Sequence, residues 1–239
     1  MRIAVLGDSN VAALKTAWEG MAESHPGTYL TFFASRADGL SGLMAEGFAL
    51  VAEDAALRGN LKFTSGGLDR IVPGDYDLLV IYGLRFLMSD DDEGVWSMAV
   101  RLTALRDRFS QCLSLTTLRK PRAISSIPCI VGPSPPTVAP SAAAQPLPAE
   151  ELAMVERALQ DTVLDGLGAS LVGPPPSALV RPLNTDRRFV DQALTLAVGD
   201  FRDGGKVRAN NHRHMNAEYG RLWLQFMFER LRADSGADA

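Results

Sequence analysis

The 239-residue chain has little of what would tie it to a metal, a nucleic acid or a membrane. Its only two cysteines, Cys112 and Cys129, lack metal-ligand spacing and read as buried, reduced thiols in a domain of this size. Of three histidines, His25 stands far from His212 and His214, so no ligand set of usual spacing forms and neither metal nor cofactor is expected. The run Asp90-Asp-Asp-Glu93 reads as a solvated loop entering a helix, not a cation site. A net charge of -4 gives no general electrostatic case for nucleic acid. No apolar run reaches the length of a membrane span. The first apolar run starts at Ile3, which leaves no room ahead of it for a signal peptide, so the expected location is cytoplasmic.

What is present is ordinary globular material, 46% hydrophobic and 22% charged, enough for one large domain over residues 1–239. The run Ile3-Ala-Val-Leu6 halts at Gly7-Asp8-Ser9-Asn10, and Val11 to Trp18 then carry apolar side chains at helical spacing. That order reads as buried strand, tight turn and helix. The turn falls at the carboxyl end of the strand and at a helix N-terminus, where backbone N–H groups stabilise anions. Asp, Ser and Asn are also preferred helix N-caps, so capping chemistry by itself would explain the turn.

Further along, Thr28–Ala34, Asp75–Gly83, Ala123–Val131 and Ala169–Pro176 read as strands, with Leu61–Thr64 a short edge strand. Leu43–Leu57, Gly94–Arg119 and Pro148–Leu164 read as helices, the last with proline and acids in its first turn. Residues 132–148, dense in Pro, Ala and Ser, read as a flap over the strand ends, and 233–239 as a polar tail. The alternation predicts an α/β fold: a three-layer α/β/α sandwich on a central, mostly parallel five-stranded sheet.

Near the C-terminus, Asn210-Asn-His-Arg-His-Met-Asn-Ala-Glu-Tyr-Gly220 runs into the helical pattern Arg221–Leu231. With Gly7-Asp8-Ser9 at the other end, this block resembles the SGNH, or GDSL-type, hydrolases. The resemblance implies a flavodoxin-like sandwich, a Ser9 nucleophile and His214 as general base. His212 is the competitor, with poorer spacing. The resemblance further implies that Gly42, with Gly39 in reserve, donates its backbone N–H to an oxyanion. The chain departs from the family twice. Arg85 stands where an oxyanion-binding asparagine is expected, and a guanidinium there suits a substrate carboxylate or phosphate. Asn211 stands where the triad acid is expected. An amide orients an imidazole without stabilising its charge, and Asp200 and Asp203 are alternative carboxylates.

Arg187, Arg188, Arg202, Lys206, Arg208 and Arg213 crowd ahead of His214 in an acidic protein. One reading is a solvated basic face; the other makes Arg208 and Arg213, with Arg85, candidate contacts for an anionic, small-molecule or saccharide-like ester, and Asp8 is a further candidate at the oxyanion and substrate site. Three functions fit these residues: a serine esterase or deacylase, a carbohydrate-binding or assembly protein on a weakened hydrolase scaffold, and an O-acyltransferase.

Overall fold

An unbroken apolar run has no face to offer water, so it fits a strand covered on both sides. The computed structural model, which describes residues 1–86, 97–138, 149–181, 184–198 and 214–236, bears this out. In chain order its elements are β1 (Arg2–Gly7), α1 (Val11–Met21), β2 (Tyr29–Ala34), β3 (Leu43–Glu46), β4 (Ala49–Ala52), α2 (Ala55–Ser65), β5 (Arg70–Ile71) and β6 (Leu78–Tyr82). There follow α3 (Met98–Ser110), α4 (Leu113–Arg122), β7 (Cys129–Gly132), α5 (Ala149–Leu159), β8 (Ala169–Leu171), β9 (Leu179–Arg181), β10 (Asn184–Thr185) and α6 (Ala217–Gly236).

The central sheet has the order β2-β1-β6-β7-β8, every pair parallel. Counted within that sheet the order is 2-1-3-4-5, the flavodoxin-like arrangement, whose direction of winding reverses between β1 and β6. Helices cover both faces, giving the expected α/β/α layering. Ile3 and Val5 of β1 point to α1 and α6, where they meet Leu14, Trp223 and Met227. Ala4 and Leu6 point to the opposite layer, where Leu61 of α2, Phe109 of α3, Leu118 of α4 and Leu159 of α5 lie. This is the period-two alternation of a strand buried on both sides.

Several element boundaries differ from those the sequence suggests. The stretch read as helix from Leu43 opens instead as a β3–β4 hairpin turning at Gly47 (φ +57°), with β5 completing a small antiparallel sheet. Its apolar residues alternate, with Leu50 and Ala52 buried, and alternation rather than apolar content decides the period. Leu61–Thr64, read as an edge strand, lies inside α2. That helix is started by Asp54, whose carboxylate accepts from Leu57 N at 2.7 Å, and ended by Gly66 at φ +80°. The long helix expected over 94–119 is two helices, broken where Cys112 takes extended backbone ahead of α4. α4 runs on to Arg122, which confines the strand expected from Ala123 to Cys129–Gly132. The tail is helical through Gly236. Of the expected flap, residues 139–148 lie outside the described residues. The described part includes an isolated bridge between Val138 and Thr185. Among the described residues no helix is long and apolar enough to cross a membrane.

Candidate active site

The turn after β1 lies at the point where the sheet reverses direction. None of its three polar side chains caps α1: Asn10, the N-cap residue, makes no side-chain bond to the helix, and Asp8 and Ser9 are engaged elsewhere. Asn10 Nδ2 and its backbone N both donate to Asp8 Oδ1 at 2.9 Å, and Ser9 Oγ lies 2.7 Å from His214 Nε2. Capping therefore does not account for Ser9. The serine hydroxyl meets a side chain 205 positions away in the chain.

Four of the residues that follow His214 anchor the segment that carries it. Met215 is buried in the α1/α6 layer. Asn216 starts α6 by accepting from Tyr219 N at 3.1 Å, while its amide donates to the carbonyls of Arg188 and Asp191 at 3.0 Å. Tyr219 is buried edge-on to Phe189. Gly220 lets two backbones touch: a β-carbon there would lie 2.2 Å from the Ala13 carbonyl oxygen. α1 begins two residues after Ser9 and α6 three after His214, so both side chains sit just ahead of the two helices that touch at Gly220.

Asp8 is buried, and its two oxygens are taken by protein donors, Asn10 on one and Leu84 N at 3.1 Å on the other. It thus ties the first turn to the loop after β6. In that loop Gly83, Leu84 and Arg85 have φ of +79°, +51° and +59°, a run of left-handed backbone that is costly for the two residues bearing a β-carbon. Glycine is required at 83, because a β-carbon would stand 2.7 Å from Asp8 Oδ1. The strained loop is held at many points. Gly83 N donates to Gly132 O, Ser114 Oγ donates to Gly83 O at 2.8 Å, Ser114 N donates to Leu84 O, and Ser134 N donates to Phe86 O.

Burial pushes the Asp8 carboxyl above its usual range, against the pull of its hydrogen bonds and of the nearby His214. The folded chain therefore holds the Asp8 proton to higher pH than the unfolded chain does. The stability this contributes is complete below pH 3.8, the reference value, and is lost as pH rises through the raised value. The ionised form is what accepts three N–H bonds, and its charge favours a protonated His214.

Asp8→Asn retains the shape but turns an amide NH2 toward the Leu84 or Asn10 donors. The expected loss is about 1–3 kcal/mol in denaturant unfolding, the cost of a buried unsatisfied donor. The same change should make His214 lose its proton at lower pH in an NMR titration, because a negative charge beside the imidazolium is gone.

The other candidate residues fall around this pair. Arg85 turns its side chain to Asp38, Nε to Oδ1 at 2.8 Å, both more than half exposed; the ion pair bridges the loops after β6 and β2. Gly42 closes a short helical turn (Gly39–Gly42) and accepts from Glu53 N at 2.8 Å. Lys120 holds the preceding carbonyl, Nζ to Ser41 O at 2.7 Å. The reserve position Gly39 packs its α-carbon onto Ser35, where a β-carbon would collide with Oγ. Ser35 in turn donates its N–H to Gly7 O. Asn211, Arg208, Arg213, His212, Asp200 and Asp203 lie outside the described residues. Among the described residues no three His, Cys, Asp or Glu side chains are grouped to hold a metal.

Sequence reasoning missed Leu84 and Ser114, and it read Asn10 as a helix cap rather than as a donor to Asp8. Gly83 was the available signal for the strained loop, but no spacing rule links Ser114 to it. No protein-family model matches the chain, and no curated protein does.

Proposed function

We propose that this protein is a serine hydrolase of carboxylic esters, with Ser9 as nucleophile and His214 as general base. The observation that carries the reading is the 2.7 Å contact between Ser9 Oγ and His214 Nε2, brought about by residues from opposite ends of the chain. A neutral imidazole with its proton on Nδ1 accepts the hydroxyl proton at Nε2. Oγ then bonds to the acyl carbon, and the carbonyl electrons move onto oxygen. The oxyanion develops beside the Ser9 N–H at the amino end of α1. On collapse the ester C–O bond breaks, the imidazolium gives its proton to the leaving alcohol, and water attacks the acyl-serine by the same route in reverse. Asp8 supports the imidazolium by its charge. The SGNH resemblance of the two end motifs agrees with these roles and adds Gly42 as a second oxyanion donor and Asn211 as an orienting amide.

Arg85 we assign to substrate rather than to the oxyanion. Its Nε is held by Asp38, which leaves the terminal nitrogens unengaged by that ion pair where the loops after β2 and β6 meet. An ester bearing a carboxylate or a phosphate suits that position. Arg85→Ala should raise KM for the mono-4-nitrophenyl ester of succinate by roughly tenfold, as befits one solvent-exposed charge-assisted bond. The neutral acetyl ester should be unaffected. Equal changes for both esters would remove Arg85 from recognition.

Hydrolysis of 4-nitrophenyl acetate tests the function itself. The proposal requires saturable turnover above the buffer rate. Transfer to a sugar hydroxyl uses the same acyl-serine and is separated from hydrolysis by analysing products with a saccharide acceptor present.

A further inference from the structure

A second concave site lies on the far edge of the sheet. The cleft, of about 530 Å³, lies along β8 between α5 and the last turns of α6. Its floor includes Leu78 and Cys129, the first residues of β6 and β7. Ser9 instead follows the carboxyl end of β1, with β6 and β7 between β1 and β8. The two sites are therefore separate. The volume falls within the roughly 300–1,000 Å³ of small-molecule sites.

The charges here have no evident use in the fold. Glu156 lines the cleft with its carboxylate laid over Gly173, in space that a β-carbon would fill. Burial pushes this carboxyl above its usual range, and Arg230 offsets that only in part. Arg230 and Arg157 line the same cleft. The Arg230 guanidinium lies over the Phe226 ring, 5.2 Å from its centroid. Among the described residues neither arginine makes an ion pair with Glu156. A partly desolvated carboxylate thus shares the cleft with two guanidinium groups and closes on neither.

A strand from a partner protein is an unsuitable occupant. The outer edge of β8 is already capped by the Gln160 amide, which donates to Ala169 O at 2.9 Å and accepts from Leu171 N at 2.8 Å. What remains is space for a small molecule with both charges.

We propose that this cleft binds a small zwitterion, its ammonium against Glu156 and its acid group against Arg157 and Arg230. An ammonium supplies the donors that the carboxylate lacks, and a carboxylate or phosphate engages the guanidinium forks. An anion alone would meet the repulsion of Glu156, and an amine alone that of the arginines.

The test is calorimetric titration of the full chain with ω-amino acids from glycine to 6-aminohexanoate, with butyrate and butylamine as single-charge probes. One chain length should bind best, with butyrate and butylamine at least tenfold weaker, the equivalent of about 1.4 kcal/mol. Glu156→Gln and Arg230→Ala should each weaken that binding by a similar factor and leave ester turnover unchanged. Where Glu156→Gln alters folding, the exposed Arg157→Ala gives the same reading. Butyrate binding as tightly as the best amino acid, binding unchanged by these substitutions, or no binding by any member of the series would overturn the proposal.

Discussion

Ser9→Ala is expected to lower kcat for 4-nitrophenyl acetate by ~10⁴-fold or more, the scale on which removing a triad nucleophile acts. His214→Gln should cost a similar factor, because a hydroxyl 2.7 Å from an imidazole is a useful nucleophile only while its proton has a destination. The double variant should be scarcely slower than either single one, since a nucleophile and its base act as a unit. Stability should hardly move. The Ser9 hydroxyl caps no helix, so thermal unfolding of Ser9→Ala is expected to stay within about 0.5 kcal/mol of the parent. Comparable turnover in parent and Ser9→Ala would separate the contact from any catalysis.

Gly220→Ala is expected to impair the same reaction from a distance. A β-carbon there would lie 2.2 Å from Ala13 O and 2.9 Å from Leu14 N, both backbone atoms that cannot rotate aside. α1 and α6 must therefore separate, with an overpacking cost of about 1–3 kcal/mol. Ser9 and His214 sit just ahead of these two helices, so the strain is expected to open the Ser9–His214 contact. A displacement near 1 Å at reacting groups typically costs ~10²-fold in rate. Gly20→Ala, in the same α1 but with nothing within 4 Å of the added carbon, is the control. It should keep full activity and gain roughly 0.5–1 kcal/mol from helix propensity. If Gly220→Ala kept full activity, the helix crossing would not be what sets the catalytic distance.

The fold was legible where burial on both faces leaves one choice. β1 and β6 are continuous apolar runs, and α1 follows a turn rich in capping residues. It was illegible where short apolar stretches carry no length to decide their period, as between Leu43 and Thr64. There the Asp54 cap and the Gly66 stop were the better guides. In the site, the positions of Ser9 and His214 could be read from two short motifs, and the structure brings the two side chains together. The bond from Leu84 N to Asp8 and the ion pair from Arg85 to Asp38 could not, for they join loops that only the sheet order brings together. Arg85 shows the limit well. Its residue type suggested an anion ligand, but only the structure shows that Asp38 holds one of its nitrogens.

The most direct test of the Ser9–His214 pair is covalent labelling with a fluorophosphonate, followed by intact-mass measurement and peptide mapping. Attack by Oγ forms a Ser–O–P bond and expels fluoride, and it depends on the base that activates the hydroxyl but not on the natural ester. One adduct on Ser9 is expected, absent from Ser9→Ala and much slower to form in His214→Gln. No adduct, or one on another residue at the same rate in all three proteins, would contradict the account.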